Sequence, residues 1–390
     1  MRIVVATPIL FDKKSPFNHL FRDILEGLLQ EGHQVTRICA VENDTDAEYQ
    51  MGLELQHIPV KRKAASHGNI ISRYLKDSLT NLKMVRKLRK IEADVLFEDA
   101  SYSSWLSVRA AKKRGMQVVT MLQDVWPDNA VQSGLIRDGS FLYRFFESFQ
   151  RYVYKRSDRI ICISDDMRRF IASKGVDPEK ISVIYNWGYT DEIVSIPWEE
   201  NRFVQAQSLD DQKIYAIYAG NIGRMQNLEI VIEAARRLAE YEDIRFLIIG
   251  DGARCQAIKE LAKDLLNVTF LPMQPSDLAV HIYSAAGVNL IPLVKDGTRS
   301  ALPSKTGVVL SCGRPAVFTF GTESDFSRLL AGTGAGASVD PEDPAALADC
   351  ILRQARTMQF DPEPVYGVFR NYFTRGKNIA RYVAVITGSK

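Results

Sequence analysis

Three short stretches of this chain carry residues suited to holding an anionic group. Gly220-Asn221-Ile222-Gly223-Arg224 follows an apolar, β-rich run, Ile214 to Ala219, and precedes apolar residues at helical spacing: Leu228, Val231, Ile232, Ala235 and Leu238. The pattern predicts a buried strand, a glycine turn and an amphipathic helix. Such a turn lets backbone N–H groups approach an anion, the helix dipole adds attraction, and Arg224 would meet a diphosphate as a further cation. Gly250-Asp251-Gly252 with Arg254 follows the strand FLIIG, and Leu271-Pro272-Met273 follows the next strand. The polar loop PLVKDGTRSALP leads into Ser304-Lys305-Thr306, where a helix would open with a cation among free backbone donors. The competing reading of each stretch alone is structural: an ordinary strand-to-helix turn with a surface arginine, and an exposed lysine at a helix start.

The elements that must position these groups alternate along the whole chain. Strands are predicted at Arg2 to Ala6, Gln34 to Cys39, Asp94 to Phe97, Gln117 to Leu122, Arg159 to Ile163 and Lys180 to Ile184, with helices in the gaps. Residues 186–212 hold Pro197, Gly188 and a charged cluster without sustained period, and the alternation restarts at Ile214. The expected fold class is therefore α/β, with two doubly wound Rossmann-like domains facing a central cleft. The expected division is a first domain over 1–190, a linker over 191–212, a second domain over 213–365, and a C-terminal helix over 366–390 returning to the first domain.

Composition narrows the class. The 390 residues suffice for two domains with cores of their own. With 50 Lys plus Arg against 47 Asp plus Glu, the net charge of +3 gives no nucleic-acid footprint. The 5 cysteines are far apart and never form a CxxC pair, so they predict buried thiols in a reducing compartment. No apolar run reaches the roughly eighteen residues a membrane span needs, so a cytoplasmic protein is expected. The basic run Lys83, Arg86, Lys87 and Lys90 falls on a helix predicted over Ile70 to Ile91, with Leu79, Leu82 and Val85 as its apolar side. It reads either as a solvated face or as a peripheral contact with the anionic cytoplasmic face of a membrane.

YAGNIGRMQNLEIVIEAA, LIIGDGARCQAI, NVTFLP, LPSKTGVVLSCGRPAVF and GASVDPEDPAALADCI, in that order, resemble the nucleotide-sugar domain of retaining family 4 glycosyltransferases with the GT-B fold. QDVWPD at Gln123 to Asp128, then SGLI, ICIS and KISVIYNWG, is similar to the first domain of members that build bacterial surface polysaccharides, among them acetamidofucosyltransferases of O-antigen assembly. The resemblance covers nearly the whole chain. It implies that Gly220, Asn221, Gly223 and Arg224 surround the donor diphosphate, that Lys305 with Ser304 and Thr306 adds a second charged contact, and that Gly250, Asp251, Gly252, Arg254 and Met273 line the nucleotide pocket. It places Asp124 at the catalytic-loop carboxylate, facing sugar and acceptor. It further implies a UDP-sugar donor, a glycan or lipid-linked glycan acceptor, and no metal or other cofactor.

The chain departs from the family pattern. Two glutamates usual in relatives are Ser300 and Val308, the histidine before the loop aspartate is Gln123, and the glycine after Gln226 is Asn227. These changes keep two other readings open, a non-catalytic subunit supporting a partner transferase and a sugar-nucleotide epimerase of the same architecture. Asp44-Thr45-Asp46 mimics a metal-binding carboxylate pair but lies in a polar loop, and the histidines show no ligand spacing.

Overall fold

The computed structural model describes residues 1–10, 18–41, 53–62, 70–188, 191–357 and 360–389. The Asp44-Thr45-Asp46 motif and most of the segment between Thr7 and Phe17 lie outside them. The chain divides into two compact units, the first comprising 1–131, 136–185 and 376–390, the second 132–135 and 186–375.

The first unit is built on seven parallel strands: β1 (Arg2–Leu10), β2 (Gln34–Val41), β3 (Gln56–Lys61), β4 (Val95–Asp99), β5 (Gln117–Leu122), β6 (Arg159–Cys162) and β7 (Ile181–Val183), in spatial order β3-β2-β1-β4-β5-β6-β7. Its helices are α1 (Asn18–Gln30), α2 (Ile70–Leu88), α3 (Trp105–Lys113), α4 (Asp128–Gln132), α5 (Phe141–Arg156) and α6 (Asp165–Ser173). A strand buried on both faces reads as a near-continuous apolar run; all five residues of β4 are buried, the apolar Val95-Leu96-Phe97 followed by the acidic pair Glu98-Asp99. Helix starts follow local chemistry: Ser140 and Ser164 accept from the backbone N–H groups of Tyr143 and Met167 at 3.2 and 3.1 Å.

The second unit has six parallel strands, β8 (Ile214–Ala219), β9 (Ile244–Ile249), β10 (Val268–Leu271), β11 (Val288–Ile291), β12 (Ala316–Phe318) and β13 (Ala337–Ser338), ordered β10-β9-β8-β11-β12-β13. Its helices are α7 (Arg202–Gln207), α8 (Leu228–Arg237), α9 (Cys255–Leu261), α10 (Ala279–Ala285), α11 (Thr306–Ser311), α12 (Asp325–Thr333), α13 (Pro344–Ala355) and α14 (Glu363–Val368). Ile217, Val231, Ile248 and Ile351 are at most 1% exposed. Each such side chain contributes about 1.5–3 kcal/mol by leaving water.

In both sheets the strand order reverses once, beside β1 and β4 and beside β8 and β11. Open α/β sheets hold ligands beyond the carboxyl ends of strands at such points. In the second unit that point lies at the glycine turn after β8.

One stretch differs from expectation. The segment 191–212 is not a plain linker. Asn201 is fully buried, donates to His281 O at 2.8 Å and caps α7, and Phe203 packs inside the second unit. A capped helix of 6 residues is too short to show a period, which is why the sequence pattern misses it. The final helix, α15 (Arg375–Thr387), groups from Gly376 onward with the first unit, where Asn378 donates to Tyr185 O at 2.9 Å and Arg381 to Val183 O at 2.6 Å. Gly27 leaves room for it, since a Cβ there would stand 2.4 Å from Ile379 Cγ2.

Candidate donor site and carboxylate cluster

The turns after β8 and β9 form one backbone platform. Gly220 N donates to Ile249 O at 2.9 Å, Ile222 N to Asp251 O at 2.8 Å, and Arg254 N to Ile222 O at 2.9 Å. Gly220, Gly250 and Gly252 have φ of 145°, 144° and 155°. Side chains are excluded twice over there, because a Cβ on Gly250 would meet Gly220 O at 1.9 Å and one on Gly252 would meet Ile222 O at 2.5 Å. The result is a surface of main chain that a flat anion or ring can approach closely.

Lys305 reaches this platform from just before α11. Its Nζ donates to Ala219 O at 2.8 Å and sits 3.7 Å from the ring centroid of Tyr218. A Cβ on Gly220 would lie 2.9 Å from the same nitrogen, so the amine borders the glycine turn directly. Burial lowers the Lys305 amine to about 7. Among the described residues the Tyr218 ring face and one carbonyl are what compensate its charge, and an ammonium with so few partners is poorly solvated. Tyr218 in turn is fixed by a 2.5 Å bond from its hydroxyl to Asn221 O, and Tyr283 donates to Ala219 O at 3.2 Å. Tyr218 is the residue that sequence reasoning missed here: it is one of two tyrosines in an apolar strand, and nothing in the pattern distinguishes it.

The other expected donor residues divide. Arg224 is exposed, opens a short turn of 3-10 helix, and forms no ion pair among the described residues. Gln226 Oε1 accepts from Gly223 N at 3.1 Å and from Asn221 Nδ2 at 3.4 Å, so the glycine turn is held from within. Asn227 adopts φ 44°, a conformation that explains why a glycine is usual there and an asparagine is accepted. Arg254 faces Glu229 across a half-exposed pair of 2.5 Å, so its charge is already partnered. Asp251 accepts from Gly252 N at 2.7 Å, Met273 and Ser304 are exposed, and Thr306 donates to Pro303 O at 2.7 Å, which spends its hydroxyl on the entry to α11. Ser300 and Val308, at the glutamate positions, are both buried.

In the first unit the carboxyl ends of β4 and β5 gather three acids. Asp124 keeps its side chain open to solvent, yet the protein packed around it pushes its carboxyl up to about 6. Asp99, the last residue of β4 and paired in register with Met121, is 3% exposed; burial first, and then the charge of Asp124, raise its carboxyl well above the usual range. Glu98 beside it is pushed up to about 8 by burial, with Ser107 Oγ at 2.5 Å from Oε2. Asp99 and Glu98 escape the sequence reading because the predicted strand stops at Phe97; the available signal is an acidic pair closing an otherwise apolar strand. Among the described residues no group of three or more His, Cys, Asp or Glu is arranged to hold a metal ion.

Comparison with known proteins agrees with this architecture. The profile described as Glycosyltransferase Family 4 matches residues 18–191, and that described as Glycosyl transferases group 1 matches residues 213–356. The chain therefore belongs to the family 4 glycosyltransferases, with two parallel-sheet units of the GT-B fold. It is similar to WbjE of Pseudomonas aeruginosa, named a probable glycosyltransferase, with 28% identity over 242 residues, 61% of this chain and 59% of that protein. It is also similar to WcaI of Escherichia coli strain K12, named for glycosyl transfer in colanic acid biosynthesis, with 30% identity over 251 residues, 63% of this chain and 61% of that protein. The matched region thus spans about three fifths of these relatives. Among solved structures, Anabaena HepE in complex with UDP and glucose has a TM-score of 0.74 at 13% identity, covering 100% of both chains. WaaG, a glycosyltransferase involved in lipopolysaccharide biosynthesis, has a TM-score of 0.73 at 15% identity, covering 99% of this chain and 100% of that one.

Proposed function

We propose that this protein transfers a hexosyl or N-acetylhexosaminyl unit from a nucleoside diphosphate sugar, with UDP as the nucleotide, to a hydroxyl of a lipid-linked glycan in bacterial surface polysaccharide assembly, with retention of anomeric configuration. The observation that carries this reading is the Lys305 amine bordering the glycine platform, with the exposed Arg224 on the same turn. The names of WbjE and WcaI and the UDP in HepE support the reaction class and the donor.

In this reading the bond from the anomeric carbon to the diphosphate oxygen breaks and its electron pair leaves with the diphosphate. The acceptor oxygen bonds to the anomeric carbon on the face the diphosphate vacates, and its proton passes to the departing phosphate oxygen. Negative charge grows on the leaving group and positive charge on the sugar ring. Arg224 and Lys305 meet the first in place of a metal ion, and the Asp124 carboxylate meets the second.

A panel of nucleotide sugars incubated with the protein and bacterial lipid extract tests this. Release of nucleoside diphosphate that depends on both donor and lipid extract is the expected result. A protein that binds UDP by calorimetry yet turns over no donor is instead the supporting subunit, the alternative that buried Ser300 and Val308 favour.

Asp124 gives a second expected result. Its charged form is present above about pH 6 and lost below, so turnover should fall as pH drops through about 6. Asp124→Asn keeps the shape without the charge, so turnover should be low at every pH while UDP affinity stays nearly constant. An Asn variant with the parental rate and pH profile removes the role.

Peripheral attachment to an anionic membrane, with Lys83, Arg86, Lys87 and Lys90 as contacts, belongs to the same proposal. These four residues are exposed, and no described helix is long and apolar enough to cross a membrane.

A further inference from the structure

Helix α2 is turned against the ordinary preference of its side chains. Its inner face carries Asp77, Thr80 and Asn81, which are 6%, 3% and 1% exposed. Leu75, Leu79 and Leu82, on the outer face, are 56%, 61% and 43% exposed. The inner polar groups are satisfied: Arg62 pairs with Asp77 at 2.5 Å, Thr80 donates to Lys76 O at 3.0 Å, and Asn81 donates to Ser103 at 2.9 Å. Val85, expected on the same stripe as Leu79 and Leu82, is instead buried, as are Met84 and Leu88. The helix is thus anchored by specific bonds and shorter apolar contacts while three leucines at i, i+4 and i+7 form a stripe in solvent.

The stripe does not stand alone. On α5, Phe141 is 85% exposed and stacks on Phe145, which is itself 39% exposed. Tyr74, adjacent to Leu75, joins the two helices by packing on Phe145 at 5.8 Å and Phe149 at 6.0 Å between ring centroids. Together these form an apolar ridge of leucine and phenylalanine of the kind that single surface residues do not explain. The charge beside it has one sign. The exposed charged side chains described on α2 are Lys83, Arg86 and Lys87, and those on α5 are Arg144, Arg151, Lys155 and Arg156. The single acids of the two helices face elsewhere: Asp77 lies inside against Arg62, and Glu147 is partnered by Lys174 at 3.3 Å.

We propose that the α2 and α5 face of the first unit seats on an anionic lipid bilayer, with Leu75, Leu79, Leu82, Phe141 and Phe145 entering the boundary between headgroups and acyl chains and the flanking cations meeting lipid phosphates. The inference rests on the peripheral-membrane part of the reading above and changes its physics, because attachment becomes apolar insertion steered by charge rather than charge alone. A second copy of this chain is a poor occupant, since two such faces would bring like charges together.

The test is co-sedimentation of the full chain with phosphatidylglycerol–phosphatidylcholine vesicles and with phosphatidylcholine vesicles. The parent should bind the anionic vesicles and keep part of that binding at roughly 1 M salt, where the screening length is about 3 Å. Leu75→Ser/Leu79→Ser/Phe141→Ser should lower partitioning at least about tenfold and leave only binding that salt abolishes, since the insertion is lost and the charge kept. Lys83→Glu/Lys87→Glu should lower binding to anionic vesicles and leave any weak binding to phosphatidylcholine unchanged. All these residues are exposed, so UDP affinity by calorimetry should match the parent; that separates a failed surface from a failed transferase reading. A parent that ignores vesicles, a serine variant that binds as the parent does, or a ridge-dependent dimer in sedimentation velocity overturns the proposal.

Discussion

Replacing Lys305 by alanine is expected to lower turnover at least about tenfold and to remove a proton uptake that accompanies nucleoside diphosphate binding near pH 8. The rate follows from the loss of a charge-assisted phosphate contact of about 1.5–3 kcal/mol, of which roughly 1.4 kcal/mol already corresponds to tenfold. The proton follows from burial. The free amine is lowered to about 7, so at pH 8 it is mostly neutral, held by Ala219 O against the ring of Tyr218. A bound diphosphate favours the ammonium and raises that value, so the amine gains a proton on binding at pH 8. Affinity is therefore full below about pH 7 and declines as pH rises through the higher, bound value. Calorimetry of UDP binding in buffers of different ionisation enthalpy reads the proton directly. Arg224→Ala should also slow turnover but keep the uptake, because the proton is taken up at the buried Lys305 amine, which that variant leaves in place. A parent that takes up no proton at pH 8, or a Lys305→Ala protein that turns over like the parent, removes Lys305 from the diphosphate.

What could be read ahead of the structure, and what could not, follows from the range of the forces involved. The strand, glycine turn and helix from Ile214 to Leu238 are legible because their determinants are neighbours in sequence: an apolar run for a strand buried on both faces, a glycine at position 220 where φ is positive, and helical spacing after it. The edge strand β3 is not legible; its residues QHIPVK are mostly half-buried, contain a proline, and lack both alternation and a sustained apolar run. Helix α2 shows a different limit. Its periodicity is plain, but it offers two candidate inner faces, and the choice depends on Arg62 and Ser103, which bond Asp77 and Asn81 from elsewhere in the chain. The candidate site divides along the same line. Lys305 and Arg224 are suggested by local chemistry, whereas Tyr218 beneath Lys305 and Asp99 near Asp124 acquire meaning only when separate strands bring them together.

Gly250→Ala is expected to weaken nucleoside diphosphate binding at least about a hundredfold, a larger effect than removing either cation. Two penalties combine at this position. Its φ of 144° lies in a region that side-chain-bearing residues scarcely populate, which costs of order 1–3 kcal/mol. The new Cβ would also stand 1.9 Å from Gly220 O, so the turns after β8 and β9 cannot both keep their places. Relief requires moving Gly220, and with it the carbonyl of Ala219 that holds Lys305 and the entry to the turn that carries Arg224. Several phosphate contacts then loosen together; losing two at about 1.5 kcal/mol each already exceeds a hundredfold. A control separates the clash from backbone strain: Gly321 has φ 74° with nothing within 4 Å of a Cβ, so Gly321→Ala carries strain without collision. That variant should lose stability modestly and bind UDP as the parent does. Circular dichroism and UDP calorimetry on both variants make the comparison. A folded Gly250→Ala protein that binds UDP as tightly as Gly321→Ala would show that the platform of glycines does not form the diphosphate site.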